Sequence, residues 1–350
     1  MRILTFDVGV GTIDVLIWDT NEVNIFKLVL PSPCQYFTKK IKKSKENLFI
    51  DGIEMGGFPI SSAIFEHIKK GFKVYMSDTV WKTIKYDRNY VLEKGIHIIN
   101  DKEKLKLKNS EKNEELFLTD VEIDYFFKIF KKFGLSLDFD YIGIAVQDHG
   151  VPDPSIKTKN FRREWIINIL KKSPEFDKFL FPYNKIPKFL SRSNSIAKYV
   201  YQKTATPVFV SDTSISAMKG CLYHPNLKFD KIVAMDIGNG HTCAFSIDNN
   251  KILGYFEYHT KSITVSRLEW AIKKLINGTL TNEEVIKEKG HGAFVNRGLN
   301  KDFELIVTGP RRSIIRNTQL KYILGAPFGD HMITGAVGLA KMIFEHVSLF

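Results

Sequence analysis

One pattern occurs twice in this chain and restricts its architecture more than any other feature. Residues 232–248 read Ile-Val-Ala-Met-Asp-Ile-Gly-Asn-Gly-His-Thr-Cys-Ala-Phe-Ser-Ile-Asp, and residues 1–19 read Met-Arg-Ile-Leu-Thr-Phe-Asp-Val-Gly-Val-Gly-Thr-Ile-Asp-Val-Leu-Ile-Trp-Asp. Each has an apolar strand ending near an Asp (Asp7, Asp236), a turn with two glycines (Gly9 and Gly11; Gly238 and Gly240), and a second apolar strand leaving from Thr12 or Thr242. Glycines let such a turn reverse tightly, and they let backbone N–H groups approach a ligand without a Cβ in the way. An Asp at the strand's end could hold a metal-bound water. One such hairpin is an ordinary element. Two, each opening one half of the chain, imply an internal duplication.

A length of 350 residues exceeds the usual size of one core and suggests two domains, with boundaries expected at 1–228 and 229–350. The net charge of +12 would suit nucleic acid or a polyanionic small ligand. The one dense basic cluster, Lys39–Lys45, has no interleaved aromatic residues, so a solvated loop is expected there and no nucleic-acid partner. Cys34, Cys221 and Cys243 form neither a CxxC pair nor a disulfide framework, which fits a reducing cytoplasm. No signal-like N-terminus and no apolar run of membrane length is present, so a soluble cytoplasmic protein without membrane contact is expected.

Along the chain, 23–30 reads as a third strand, and 48–76 as a βαβ unit. Residues 101–116 read as a surface insertion with partial helix. Thr119 and Glu122 have the spacing of a capping box opening a Phe-striped helix. Tyr141–Val146 is a buried-type strand whose C-terminal end carries Gln147-Asp148-His149, the end at which ligands bind in open α/β sheets. Helices are expected at 161–172, 193–203, 214–222, 266–276 and 332–346, and strands at 208–210, 252–259 and 304–307.

With these motifs in order, the chain resembles the actin, Hsp70 and sugar-kinase superfamily. The resemblance implies an α/β fold of two ribonuclease-H-like (actin-like ATPase) domains flanking a nucleotide cleft. It implies ATP held by two phosphate loops, Gly9-Gly11-Thr12 and Gly238-Asn239-Gly240-His241-Thr242. Mg2+ would be positioned through water by Asp7 and Asp236, with Asp14 as a third carboxylate that either assists or points away. Ile306-Val307-Thr308-Gly309 is similar to the adenosine-side motif, followed by Arg311 and Arg312, which either bind phosphate or adenine or form a surface pair. Thr334–Ala340 is similar to the small-residue helix that closes sugar-kinase chains, packing back from the second domain. Asp212 is similar to the sugar-kinase base, and an N-cap for the following helix is its plain alternative. His241 either donates to a phosphate or pairs across its hairpin.

More narrowly, Val-Gln-Asp-His-Gly, Gly-Asn-Gly-His-Thr and Thr-Gly-Pro-Arg-Arg resemble a prokaryotic family, some members of which are labelled "pyruvate formate-lyase activating enzyme related". The three scattered cysteines do not support radical chemistry of that type, which needs three on one loop. The expected function is an Mg-ATP-dependent kinase acting on a hydroxyl of a small metabolite held by Gln147, Asp148 and His149, with Asp212 as base. An ATPase switch acting on a protein partner and a non-catalytic nucleotide or metabolite sensor are the alternatives. A homodimer stays open.

Overall fold

The computed structural model describes residues 1–22, 25–104, 113–151, 161–299 and 302–349. Residues 23–24 of the expected third strand, 105–112 of the lysine- and glutamate-rich segment and the proline-containing stretch 152–160 lie outside them.

The strands in chain order are β1 Arg2–Val8, β2 Thr12–Asp19, β3 Phe26–Pro31, β4 Asn47–Gly52, β5 Val74–Ser77, β6 Ile96–Ile99, β7 Asn113–Leu118 and β8 Tyr141–Val146. They continue as β9 Phe181–Pro182, β10 Val208–Ser211, β11 Lys231–Ile237, β12 His241–Asp248, β13 Lys251–His259, β14 Gly292–Val295, β15 Glu304–Thr308 and β16 Ile323–Leu324. Both hairpins form where the repeat places them, with Asp7 opposite Asp14 in one and Asp236 opposite Cys243 in the other.

The first sheet has the order β3-β2-β1-β8-β10-β9 and the second β14-β13-β12-β11-β15-β16. In each, three antiparallel strands are followed by one that joins parallel beside the first, β8 beside β1 and β15 beside β11. This shared order is the ribonuclease-H-like arrangement, built twice. Central strands covered on both faces need apolar residues on both. Accordingly Ile3, Leu4 and Phe6 of β1 and Ile232, Val233, Ala234 and Met235 of β11 are all buried.

A third, all-parallel sheet, β6-β5-β4-β7, is inserted between β3 and β8 and has its own core around Leu48, Ile50, Ile64 and Met76. Three expectations are corrected here. Lys39, Lys40, Lys42 and Lys43 stand on helix Pro33–Lys43, which buries Cys34, Phe37 and Ile41 one helical turn apart, so most of the cluster is the solvated side of an amphipathic helix. Residues 113–118 are strand β7, because Leu116 and Leu118 alternate inward around exposed Phe117. The capping box is absent as well. Thr119 bonds locally to Val121, and the Phe-striped helix runs Ile123–Lys132.

Helices Thr213–Cys221 and Thr334–Val347 lie in the core shared by the two sheets, where Ile3, Ala145 and Phe209 meet Ile232, Phe245 and Ile306. Their backbones nearly touch. A Cβ on Gly338 would lie 1.9 Å from Ser216 O and 2.4 Å from Gly220 N. Gly338→Ala therefore has to part the helices. Despite about 1 kcal/mol gained in helix propensity, we expect a net loss of roughly 1–3 kcal/mol from overpacking. Urea unfolding measures it, and an unchanged midpoint would refute so close a contact.

Candidate functional site

The two glycine turns have one local design. Gly9 N donates to Thr12 O and Gly238 N to His241 O, each at 2.9 Å, which closes four-residue turns at matching places in the repeat. The turns meet across the cleft. A Cβ on Gly11 would lie 2.1 Å from Asn239 Nδ2, so only glycine leaves room for that amide. Between the sheets is an open cleft lined by Asp7, Gly9, Gly11, Thr12, Asp14, Gln147, Asp236, Gly238, Asn239, Gly240, His241 and Gly309, among others.

Asp7, Asp14 and Asp236 converge in this cleft with little to neutralise them. Burial, then the charges of Asp14, Asp236 and Asp212, hold the Asp7 carboxyl well above its usual range. Burial pushes Asp14 up to about 7, with Asp330 and Asp236 adding to the rise against a hydrogen bond from Thr12. Burial likewise pushes Asp236 up to about 7, with His241 opposing. Asp7 Oδ1 and Asp14 Oδ1 are buried without a hydrogen-bond partner. Gly335 and Gly309 crowd the group: Cβ atoms there would lie 1.8 Å from Asp7 Oδ2 and 2.2 Å from Asp236 Oδ1. Such unneutralised oxygens suit a hard divalent cation such as Mg2+. Asp14 faces the cleft rather than away from it.

Four expected roles are corrected. Asp212 is not placed as a base. Its oxygens accept from Arg162 Nε and Nη2 at 2.8 and 2.7 Å, and Oδ1 also caps the next helix by accepting from Ser214 N at 2.9 Å. Both oxygens are thus held by one guanidinium in a buried, bidentate pair, which leaves neither directed at an acceptor hydroxyl. The N-cap alternative is the one observed. Asp148 accepts from Gly150 N and Ser193 N, each at 2.9 Å, and with His149 lies outside the cleft lining, leaving Gln147 alone of that triplet in the cleft. The Thr242 hydroxyl is buried against Thr260, whose own hydroxyl donates to Gly238 O at 2.8 Å, so Thr242 supports the loop from behind. Along this segment the lining stops at Pro310 and resumes only at His331: Arg311 is exposed, and Arg312 Nη1 donates to Gly325 O at 2.8 Å.

Two residues of this region were missed. Arg162, at the start of helix Phe161–Lys172, also donates through Nη1 to Glu257 Oε2 on β13 at 2.9 Å. Glu257 Oε1 lies 2.8 Å from His241 Nδ1 and accepts from Gln147 Nε2 at 3.4 Å. Burial alone would raise the Glu257 carboxyl, but Arg162 and His241 outweigh it and hold it well below the usual range. The sequence carried one signal, a lone acid inside the apolar run Ile252–Tyr258. Cys34, Cys221 and Cys243 are free and buried, and among the described residues none belongs to a cluster with metal-binding spacing.

Two ribonuclease-H-like sheets around an acidic, glycine-lined cleft define a protein of the actin-like ATPase fold. The chain belongs to the family described as "Putative pyruvate format-lyase activating enzyme (DUF1786)", whose model matches residues 55–314. No curated protein matches the sequence significantly.

Solved structures similar to the chain include the activator of the 2-hydroxyisocaproyl-CoA dehydratase from Clostridium difficile with bound ADPNP. It is 11% identical, with 99% of this chain and 96% of that one covered and a TM-score of 0.37. Another is the ethanolamine utilization protein EutJ from Carboxydothermus hydrogenoformans, at 10% identity, 97% and 89% coverage and a TM-score of 0.34. A third, "a putative N-acetylmannosamine kinase" from Listeria monocytogenes, is 10% identical with a TM-score of 0.25. There 72% of this chain matches, spanning 49% of that protein's length. Among the described residues no helix is long and apolar enough to cross a membrane.

Proposed function

We propose that this chain is an Mg-ATP-dependent phosphoryl-transfer enzyme working in the cleft between halves 1–228 and 229–350, with water as its first acceptor. In this reading it is an ATPase whose turnover shifts the two halves for a protein partner. The carrying observation is the carboxylate cluster of Asp7, Asp14 and Asp236 set between two duplicated glycine turns. Backbone N–H groups of such turns suit phosphate oxygens, and the three carboxylates would hold Mg2+ through its water shell. Bound there, Mg2+ would supply the positive charge that phosphoryl transfer requires.

Asp212 favours the ATPase over the kinase. The residue that would activate an acceptor hydroxyl is spent on Arg162, and Arg162 ties it to Glu257 of the other sheet. A second reading, transfer to a small hydroxyl, rests on Gln147, the one residue of the expected acceptor triplet that lines the cleft. The family description points toward activation of a radical enzyme. The buried, scattered cysteines supply no cluster loop for that chemistry, so activation here would be mechanical, by nucleotide-driven motion.

The test uses the purified full chain with MgCl2. ADP or a non-hydrolysable ATP analogue should raise the melting temperature, and phosphate should be released from ATP without added acceptor. Turnover that appears only with a hydroxylated metabolite selects the kinase reading. Absence of any nucleotide-dependent shift refutes the ATP site.

A further inference from the structure

Three neighbouring strands bring three histidines together. His241 and His259 are register partners across the β12–β13 ladder. His291 stands immediately before β14, its backbone N–H donating to Glu257 O at 2.8 Å. Ring centroids are 4.9 Å apart for His241–His259, 5.0 Å for His241–His291 and 4.1 Å for His259–His291. Each residue offers a ligating atom within 4.8 Å of the others.

The flanking glycines fix His291 in place. A Cβ on Gly290 would lie 2.4 Å from Val285 Cγ1, and one on Gly292, at φ +139°, 2.4 Å from Arg163 Nη1. His291 Nε2 is buried with no hydrogen-bond partner. Behind the rings, the Glu257 carboxylate lies 2.8 Å from His241 Nδ1, the place of a second-sphere carboxylate in histidine metal sites. Arg162 pairs with both Asp212 and Glu257, and Arg163 Nη1 donates to His291 O at 2.6 Å, so two guanidinium groups face the two acids beside the rings.

We infer that His241, His259 and His291 form a three-nitrogen site for a divalent transition metal, with a remaining coordination position on the cleft side that His241 lines. Imidazole nitrogen suits zinc, iron, nickel or copper, whereas the oxygens of Asp7, Asp14 and Asp236 suit magnesium. The fold thus offers two chemically distinct cation positions, one among the cleft carboxylates and one that meets the cleft at His241. Tetrahedral coordination at about 2.0–2.1 Å brings ligand nitrogens to about 3.3 Å from one another, so modest ring rotations complete the site.

The test needs no nucleotide, so its outcome is separate from that of the ATP site. Chelator-treated full chain is titrated with Co2+ in excess Mg2+. The expected result is one Co2+ per chain, with visible absorption of a low-coordinate nitrogen site, displaced by Zn2+. His259→Ala and His291→Asn should each weaken Co2+ binding at least tenfold. Absence of binding in the micromolar range, or unchanged affinity in both variants, overturns the proposal. Zinc-edge X-ray absorption on the unmutated protein guards against misfolded variants: three imidazole nitrogens at about 2.0–2.1 Å support the site, and an all-oxygen or sulfur shell refutes it.

Discussion

Asp236→Asn should raise the unfolding midpoint of the nucleotide-free protein at pH 8 while removing most ATP turnover. The two effects share one cause. Asp236 has a folded-state carboxyl pushed up to about 7 by burial, against 3.8 ordinarily. Between those values the folded protein holds a proton that the unfolded chain has released, so stability falls as pH rises from about 4 to about 7 and stays low above. Asparagine carries no such penalty. The carboxylate borders an open cleft where water screens it, which limits the expected gain at pH 8 to roughly 1–3 kcal/mol, shrinking toward zero near pH 4. Mg2+ should stabilise the unmutated protein more than the variant. Chemical unfolding at several pH values, with EDTA and with MgCl2, reads all of this. A gain independent of pH would show that the charge is not the cause, and retained turnover would remove Asp236 from the cation position.

Arg162→Leu should lose about 3–5 kcal/mol, the usual cost of breaking one side of a buried ion pair, because Asp212 and Glu257 would then be left buried and uncompensated. Leucine at all three positions should recover much of that loss, since replacing a whole buried network by apolar groups is often close to neutral. By the same logic Asp212→Asn should act on unfolding more than on turnover. Urea unfolding of the single and triple variants decides it. A single-variant loss under about 1 kcal/mol would mean that the network is solvated or already loose.

Local chemistry made much of the fold legible. The Asp and glycines of each hairpin are decided within a dozen residues, and so is the small-residue helix at 334–340. Pairings between distant segments were not legible. Arg162 meets Glu257 across 95 positions, and nothing in the helix sequence marks which of the adjacent Arg162 and Arg163 reaches that acid. The same limit hid the His241–His259–His291 group, which exists only once β12, β13 and β14 are in register. Asp212 shows a different limit. Base and cap need the same residue at the same strand end, and only its partner tells them apart. Strand β7 was masked because Glu114 and Glu115 occupy its polar start, although Leu116 and Leu118 already alternate. Arg311 and Arg312 follow the right glycine, but the Arg311 side chain is exposed and Arg312 is spent on Gly325 O.

The hydrogen bond from Thr5 Oγ1 to Ala336 O, at 2.9 Å and 331 positions apart, bears on how the molecule is made. On a ribosome, the helix that covers the inner face of β1 is translated more than 300 residues after it. The inserted sheet, whose strands all lie between 47 and 118, can close its core long before that moment. The first half therefore waits with an apolar face exposed, the period in which a nascent chain is most open to chaperones and to aggregation.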